Sequence, residues 1–325
     1  MRPLMLVAGL VAAAALGLFA GHDWLSLQDI ASLIRGDDPL RASLIWEWRL
    51  PRVLAAGLVG ALLGCAGAMF QGVFRNPLAE PYLLGTASGG AVGATIALLV
   101  PLGLPTFATL AGLSFAGAWG ATWLVLLVAR AAGRFDAVAL LLAGVTIAAI
   151  LGAVRSGLML ALSDENVSLQ TVLSWTLGGI QTPGWQGLAL LALLTLWALV
   201  VAQRLVHGLD LLGLGEEQAE LFGLDPARFV RRAVLVSSGV VALAVAWGGL
   251  VAFVGLMAPH IARWAIGPRH RQLLPLSAGV GALITIACDA VARSALPPGE
   301  IPLGLVTAVF GGPFFLVVLA RRLRA

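Results

Sequence analysis

The sequence predicts an all-α integral membrane protein with about ten transmembrane helices. Three observations carry this reading. The 325 residues are 60% hydrophobic and only 11% charged, with a mean hydropathy of +0.97. A soluble domain carries about 25% charged residues, so this chain has too few charges to cover a surface facing water. Its apolar residues fall into runs of about twenty, the length a helix needs to cross the hydrocarbon core. Its arginines are divided unevenly between the two sides that those runs define.

The first run, 4–20, follows Arg2. It has the look of a cleaved leader, but its seventeen apolar residues exceed the apolar region of one, and it reads as a span. Further spans are predicted at 53–74, 82–102, 106–129, 137–161, 185–203, 230–247, 250–265, 273–292 and 303–320. The seventh and eighth run together through Trp247, Gly248 and Gly249; 36 continuous residues exceed any bilayer, and paired glycines break a helix. Residues 1–325 read as one transmembrane domain, with no compositional sign of a separate soluble one.

With both termini in the cytoplasm, the inner ends and loops hold Arg2, Arg75, Arg130, Arg134, Arg204, Arg228, Arg231, Arg232, Arg263, Arg269, Arg271, Arg321, Arg322 and Arg324. That is fourteen of the twenty basic residues, and it sets the orientation. The segment 21–52, with Asp23, Asp29, Asp37, Asp38 and Glu47, then faces outward.

All twenty basic residues are arginine. Without a lysine there is no phosphate-binding loop of the G-x-x-x-x-G-K-[ST] type and no lysine Schiff base. Work done by this chain must therefore draw on a gradient or a partner. Cys65 and Cys288 lie inside apolar runs and read as packing residues. His260 and His270 have no carboxylate or cysteine nearby in sequence and read as polar surface histidines rather than metal ligands.

Several polar stretches interrupt the apolar pattern. FRNPLAEPYLLGTASGG, residues 74–90, sets two prolines around a carboxylate. GLGEEQAELFGLDPARFVRR places Glu216, Glu217 and Glu220 in a short helix between Gly215 and Gly223, where the dipole favours negative charge near the start. Ala219, Leu221 and Phe222 give that helix apolar surface: either an ordinary solvated loop or a knob for another protein's groove. Asp289 and Arg293 have the spacing of a helical ion pair, acid first. Arg49, Arg52 and Arg293 fall on the outer side, against the inside bias, and suit an acidic partner. Arg155 lies within the fifth span, and either lines a pathway for an anionic ligand or snorkels outward toward Asp164 and Glu165.

RLPRVLAAGLVGALLGCAGAMFQGVFRNPLAEPYLLGTASGGAVGA, GLVAFVGLMAPHIAR, GPRHRQLLPLSA, and D-x-x-A-R with EIPLG and TAVFGGPFF together resemble the FecCD-type permeases, from about Arg49 to Arg322. These are membrane subunits of ATP-binding-cassette importers for iron–siderophore chelates, haem and cobalamin. The resemblance implies ten helices, a homodimer with a pathway on its two-fold axis, and two copies of a separate ATPase that binds the ATP. It also implies a periplasmic substrate-binding protein, and a place in the bacterial inner membrane. The chain itself would bind no cofactor, catalyse no covalent reaction and need no nucleic acid. Asn76 and Leu78, stiffened by Pro77 and Pro81, match the cytoplasmic gate. Gly85, Gly89 and Gly90 would let the third span pack closely. Glu216, Glu217, Ala219, Glu220, Leu221, Phe222 and Gly223 match the segment coupled to the ATPase. Arg49, Arg52 and Arg293 match arginines that meet glutamates of the binding protein. A gradient-driven secondary transporter is the alternative; it would usually carry membrane-embedded acids, and Asp289 is the only mid-to-late span acid here.

Overall fold

A computed structural model describes residues 3–21, 24–26, 29, 35, 38–133, 136–162, 169–181, 184–297 and 299–323. Arg2, Arg134, Arg324, Asp23, Asp37, Asp164 and Glu165 lie outside the described residues, as does the side chain of Arg322. The described secondary structure is entirely helical. In chain order the helices are α1 (Pro3–Phe19), α2 (Leu50–Val73), α3 (Thr86–Leu99), α4 (Thr106–Ala131), α5 (Ala137–Leu162), α6 (Leu169–Thr176), α7 (Gly184–Gln203), α8 (Val206–Leu212), α9 (Glu216–Leu221), α10 (Pro226–Gly248), α11 (Val254–Ile266), α12 (His270–Ser294) and α13 (Leu303–Leu323). A short turn, Pro39–Ser43, and a π-helical turn, Leu44–Arg49, lead without a break into α2.

Each of the ten predicted stretches contains a helix. Seven of the described helices are long and apolar enough to cross a bilayer; α1, α3 and α11 are shorter. The shortening has local causes. Pro81 opens a 3-10 turn, Pro81–Leu84, and Gly85 adopts φ 76°, so regular helix begins only at Thr86 rather than at 82. Gly249, at φ 61°, ends α10, and residues 249–253 are non-helical, so the eighth stretch begins its helix at Val254. The predicted split at Trp247–Gly249 is where the chain breaks. The short helices α6 and α8 were not anticipated.

α2 is the axis of the bundle, packed by α12, α10, α11 and α7. Its near-absence of large side chains along one stripe explains this position. A Cβ at Gly60 would stand 2.3 Å from Gly281 O, at Gly64 2.1 Å from Ser277 O, and at Gly67 1.8 Å from Gly255 O. Glycine is therefore obligatory where these backbones touch, which is how helices associate when hydrocarbon offers no hydrophobic drive. The same device joins α3 to α4. A Cβ at Gly89 would lie 2.1 Å from Gly117 O, and one at Gly93 2.0 Å from Leu113 O. Leu142, Val145, Ile150 and Val154 on α5, and Val309, Phe310, Leu316 and Val317 on α13, stay exposed in the single chain. Cys65 and Cys288 are free and buried.

Candidate functional site

The inner end of the bundle, so called from the arginine bias, is where α2 stops at Val73 and the prolyl loop begins. Arg75 takes a left-handed conformation, φ 48°. The Asn76 side chain accepts a hydrogen bond from Leu78 N–H at 3.0 Å, and the Asn76 carbonyl accepts from Ala79 N–H at 3.0 Å. Asparagine closes such turns by imitating backbone, so Arg75–Leu78 is a tight tip, exposed at Arg75 and Asn76 and half-buried at Pro77 and Leu78. Behind it the loop turns back along the bundle. Pro81 is buried against Gly255 of α11, with no room for a side chain between them.

Two further bonds fix the loop to the break between α10 and α11. Glu80 Oε1 accepts from Phe253 N–H at 3.3 Å, and Tyr82 Oη both donates to Val251 O and accepts from Val251 N–H, each at 3.1 Å. Phe253 is held at φ 65°, a conformation disfavoured for a side chain of this size. Burial pushes the Glu80 carboxyl above its ordinary range, and the Phe253 N–H offsets this only in part. Glu80→Ala removes the acceptor at a strained position and is expected to destabilise the protein by about 1–3 kcal/mol. Glu80→Gln keeps an acceptor and is expected to cost less; thermal unfolding in detergent compares them.

The predicted coupling segment forms α9, capped at its start by Gly215 and left by way of Gly223, at φ 84°. Leu221 and Phe222 are 86% and 68% exposed. Ala219 is fully buried, which corrects the expectation that it adds to the apolar surface: it seats the helix on the permease while its neighbours project. Glu217, Glu220 and Gly223 are exposed. Glu216 reaches back to the loop tip, where Arg75 Nη2 donates to its Oε1 at 2.8 Å. The two predicted inner elements, 141 residues apart in sequence, are thus in direct contact. A further cavity of 340 Å³ lies between Pro77 of the tip and His260, Arg263, Trp264, Val318 and Arg321.

The histidine reading needs correction. His270 is buried, and its Nδ1 lies 2.7 Å from Asp210 Oδ1, which also accepts from His270 N–H at 3.0 Å. The carboxylate comes from α8, 60 residues earlier, so sequence proximity did not reveal it. No group of three potential metal ligands occurs among the described residues.

At the outer end, Asp289 is 1% exposed between two guanidiniums. Arg293 Nε donates to its Oδ2 at 2.9 Å, while Arg52 Nε and Nη2 donate to its Oδ1 at 3.2 and 3.1 Å. Arg293 also donates to Ala20 O and Gly17 O, so it caps the end of α1. Arg293 was expected to face outward; it is 6% exposed, with every nitrogen engaged inside the bundle. The intrahelical pair with Asp289, the other expectation, is formed. Arg52 makes a two-pronged contact with Glu300, at 3.1 and 2.8 Å. Arg49 is half-buried and donates to Leu18 O. Arg155 Nη2 donates to Thr176 Oγ1 on α6 at 2.6 Å, across from its own helix.

Comparison with known proteins bears on the family and the fold. Residues 9–321 match the FecCD transport family. The chain is 36% identical over 283 residues to the hemin transport system permease protein HmuU of Yersinia pestis, covering 86% of this chain and 84% of that one. It is 36% identical over 320 residues to the vitamin B12 import system permease protein BtuC of Vibrio cholerae, covering 98% and 93%. A solved structure described as an inward-facing metal-chelate type ABC transporter superposes with a TM-score of 0.86 at 32% identity, over 98% of both chains. An all-helical, multi-pass membrane chain that matches over nearly its full length in sequence and in fold belongs to the FecCD transport family.

Proposed function

We propose that this chain is the permease subunit of an ATP-driven importer. Its cargo would be a bulky iron chelate (ferric siderophore or haem) or cobalamin, brought from a periplasmic binding protein into the cytoplasm of a bacterial cell through the inner membrane. The observation that carries the reading is the pair Leu221 and Phe222, exposed on a six-residue helix whose Glu216 is bonded to the tip of the prolyl loop. A protein surface that exposes two large apolar side chains beside a rigid turn is built to be held. Movement imposed there reaches Asn76 and Leu78 through the Arg75–Glu216 pair. The partner would be a separate ATPase, two copies on a homodimer of this chain, because this chain has no lysine for a phosphate loop.

The gradient-driven alternative needs an acid free to take up and release a cation. Asp289 is closed between Arg52 and Arg293, which argues against that use. For cargo the names of the relatives point to haem, cobalamin and metal chelates. Arg155, partly exposed on α5, would line the pathway and meet an anionic ligand. Docking of the binding protein falls to Arg49 and Arg52, which unlike Arg293 keep some exposure.

Copurification tests the assembly: the tagged permease should retain an ATP-binding subunit in equal copies, and isolation of the permease alone under mild detergent would count against it. The gate assignment has its own test. Cysteines replacing Asn76 or Leu78 are expected to cross-link between the two copies to different extents with and without ATP. No cross-link in any state would place the tip away from the axis.

A further inference from the structure

We propose that the side of the bundle formed by α4, α7 and α10 holds an anionic phospholipid of the cytoplasmic leaflet, its acyl chain in an apolar groove and its phosphate on Arg204, Arg231 and Arg232. The groove encloses about 830 Å³ between those three helices, within the size of pockets that hold whole small ligands, about 300–1,000 Å³. Its walls are almost wholly apolar and include Phe107, Phe115, Trp119, Trp197 and Trp247. Along α7 the lining runs from Gln186 to Val201, roughly 22 Å of helix at the α-helical rise. That is long enough to take a chain through the hydrocarbon half-thickness of about 15 Å. The inner part is a formed wall: Trp119 Nε1 donates to Leu235 O at 3.1 Å, tying α4 to α10.

The charges sit where a phosphate would. Arg204 lies three residues after Val201, just past the end of α7, and Arg231 and Arg232 precede Leu235 and Val236 by one turn of α10. All three are exposed at the same inner end, and none has an ion pair among the described residues. Their neighbour Arg228, by contrast, is paired with Asp225 at 3.0 Å. An apolar slot with exposed wall residues and three uncommitted arginines about one turn beyond its inner lining is complementary to one acyl chain joined to one anionic headgroup. A second copy of this chain fits less well, because a two-fold contact on this face would bring the two arginine groups together. A partner's transmembrane helix, about 10–12 Å across, would cover the groove without filling it.

The test uses the full chain, purified in detergent and examined by native mass spectrometry with phosphatidylglycerol and phosphatidylcholine of identical acyl chains. One tightly held phosphatidylglycerol per chain is expected, at least tenfold tighter than phosphatidylcholine. The triple variant Arg204→Gln, Arg231→Gln, Arg232→Gln should lose that tenfold preference while binding phosphatidylcholine as before. Gly112→Phe should weaken both lipids, because Gly112 lines the groove and a Cβ there meets nothing within 4 Å. Equal retention of the two lipids by the unaltered chain, or an unchanged preference in the arginine variant, would overturn the proposal. So would efficient disulfide formation between two copies of Gly112→Cys in vesicles. If Gly112→Phe fails to fold, the arginine variant decides, since it alters only exposed side chains. None of these measurements needs ATP or cargo, so their outcome is independent of the transport reading.

Discussion

Replacing Leu221 and Phe222 together by aspartate is expected to abolish ATP-driven uptake while the permease still folds and inserts. The two side chains contribute little to the chain's own packing, at 86% and 68% exposed, so the fold should tolerate the change. Their removal falls on the partner. A buried aromatic or aliphatic anchor contributes about 2 kcal/mol or more to an interface, and two of them about 4 kcal/mol, or roughly a thousandfold in affinity. Aspartate adds charge to a helix that already carries Glu216, Glu217 and Glu220. The ATPase should dissociate on purification and uptake should fall to background. Ala219→Leu gives a contrasting result, because Ala219 is fully buried: it should disturb the seating of α9 and lower thermal stability. Normal retention of the ATPase by the aspartate double variant would show that α9 is not the contact.

Asp289→Ala is expected to give the largest loss of stability of any single charge removal at the outer end. The carboxylate is 1% exposed and accepts from both Arg52 and Arg293. Its loss leaves Arg293 buried without its counter-charge, and breaking a buried pair from one side costs about 3–5 kcal/mol. Arg52 keeps Glu300, so its own neutralisation should be milder. Arg293→Glu puts two carboxylates together and removes the cap from α1. It should lower the thermal midpoint strongly but leave the association rate of the binding protein with the folded permease unchanged. Arg52→Glu should slow that association, more at low salt than at high. A full-strength effect of Arg293→Glu on association at unchanged stability would reverse these roles.

What the sequence revealed and what it hid divide along a physical line. Membrane class follows from composition, and helix positions follow from apolar run length, because each is local. The break at Gly248 and Gly249 and the loop tip at Asn76 and Pro77 are local too, since glycine and proline act on their own backbone. The cause of the short α3 was also visible, in Pro81 and Gly85, but 82–102 carries no charged residue and run length alone overstates the helix. Pairings across the bundle left no such trace. Nothing near His270 in sequence names Asp210, nothing near Glu80 names Phe253, and Arg75 gives no sign of Glu216. Arg293 was misplaced for the same reason: the carbonyls it caps belong to Gly17 and Ala20, more than 270 residues away. Position on the outer side of a span does not show which way a long side chain turns.

Transport is proposed to be driven through α9 by ATP hydrolysed on a partner. Reconstitution tests it most directly. The permease, its copurified ATP-binding subunit and the binding protein loaded with a ferric siderophore, haem or cobalamin are assembled in proteoliposomes, with ionophores collapsing proton and sodium gradients. Cargo accumulation is expected to require ATP, to survive the ionophores and to disappear in the Leu221→Asp, Phe222→Asp variant. Uptake that follows an imposed ion gradient and ignores ATP would contradict it.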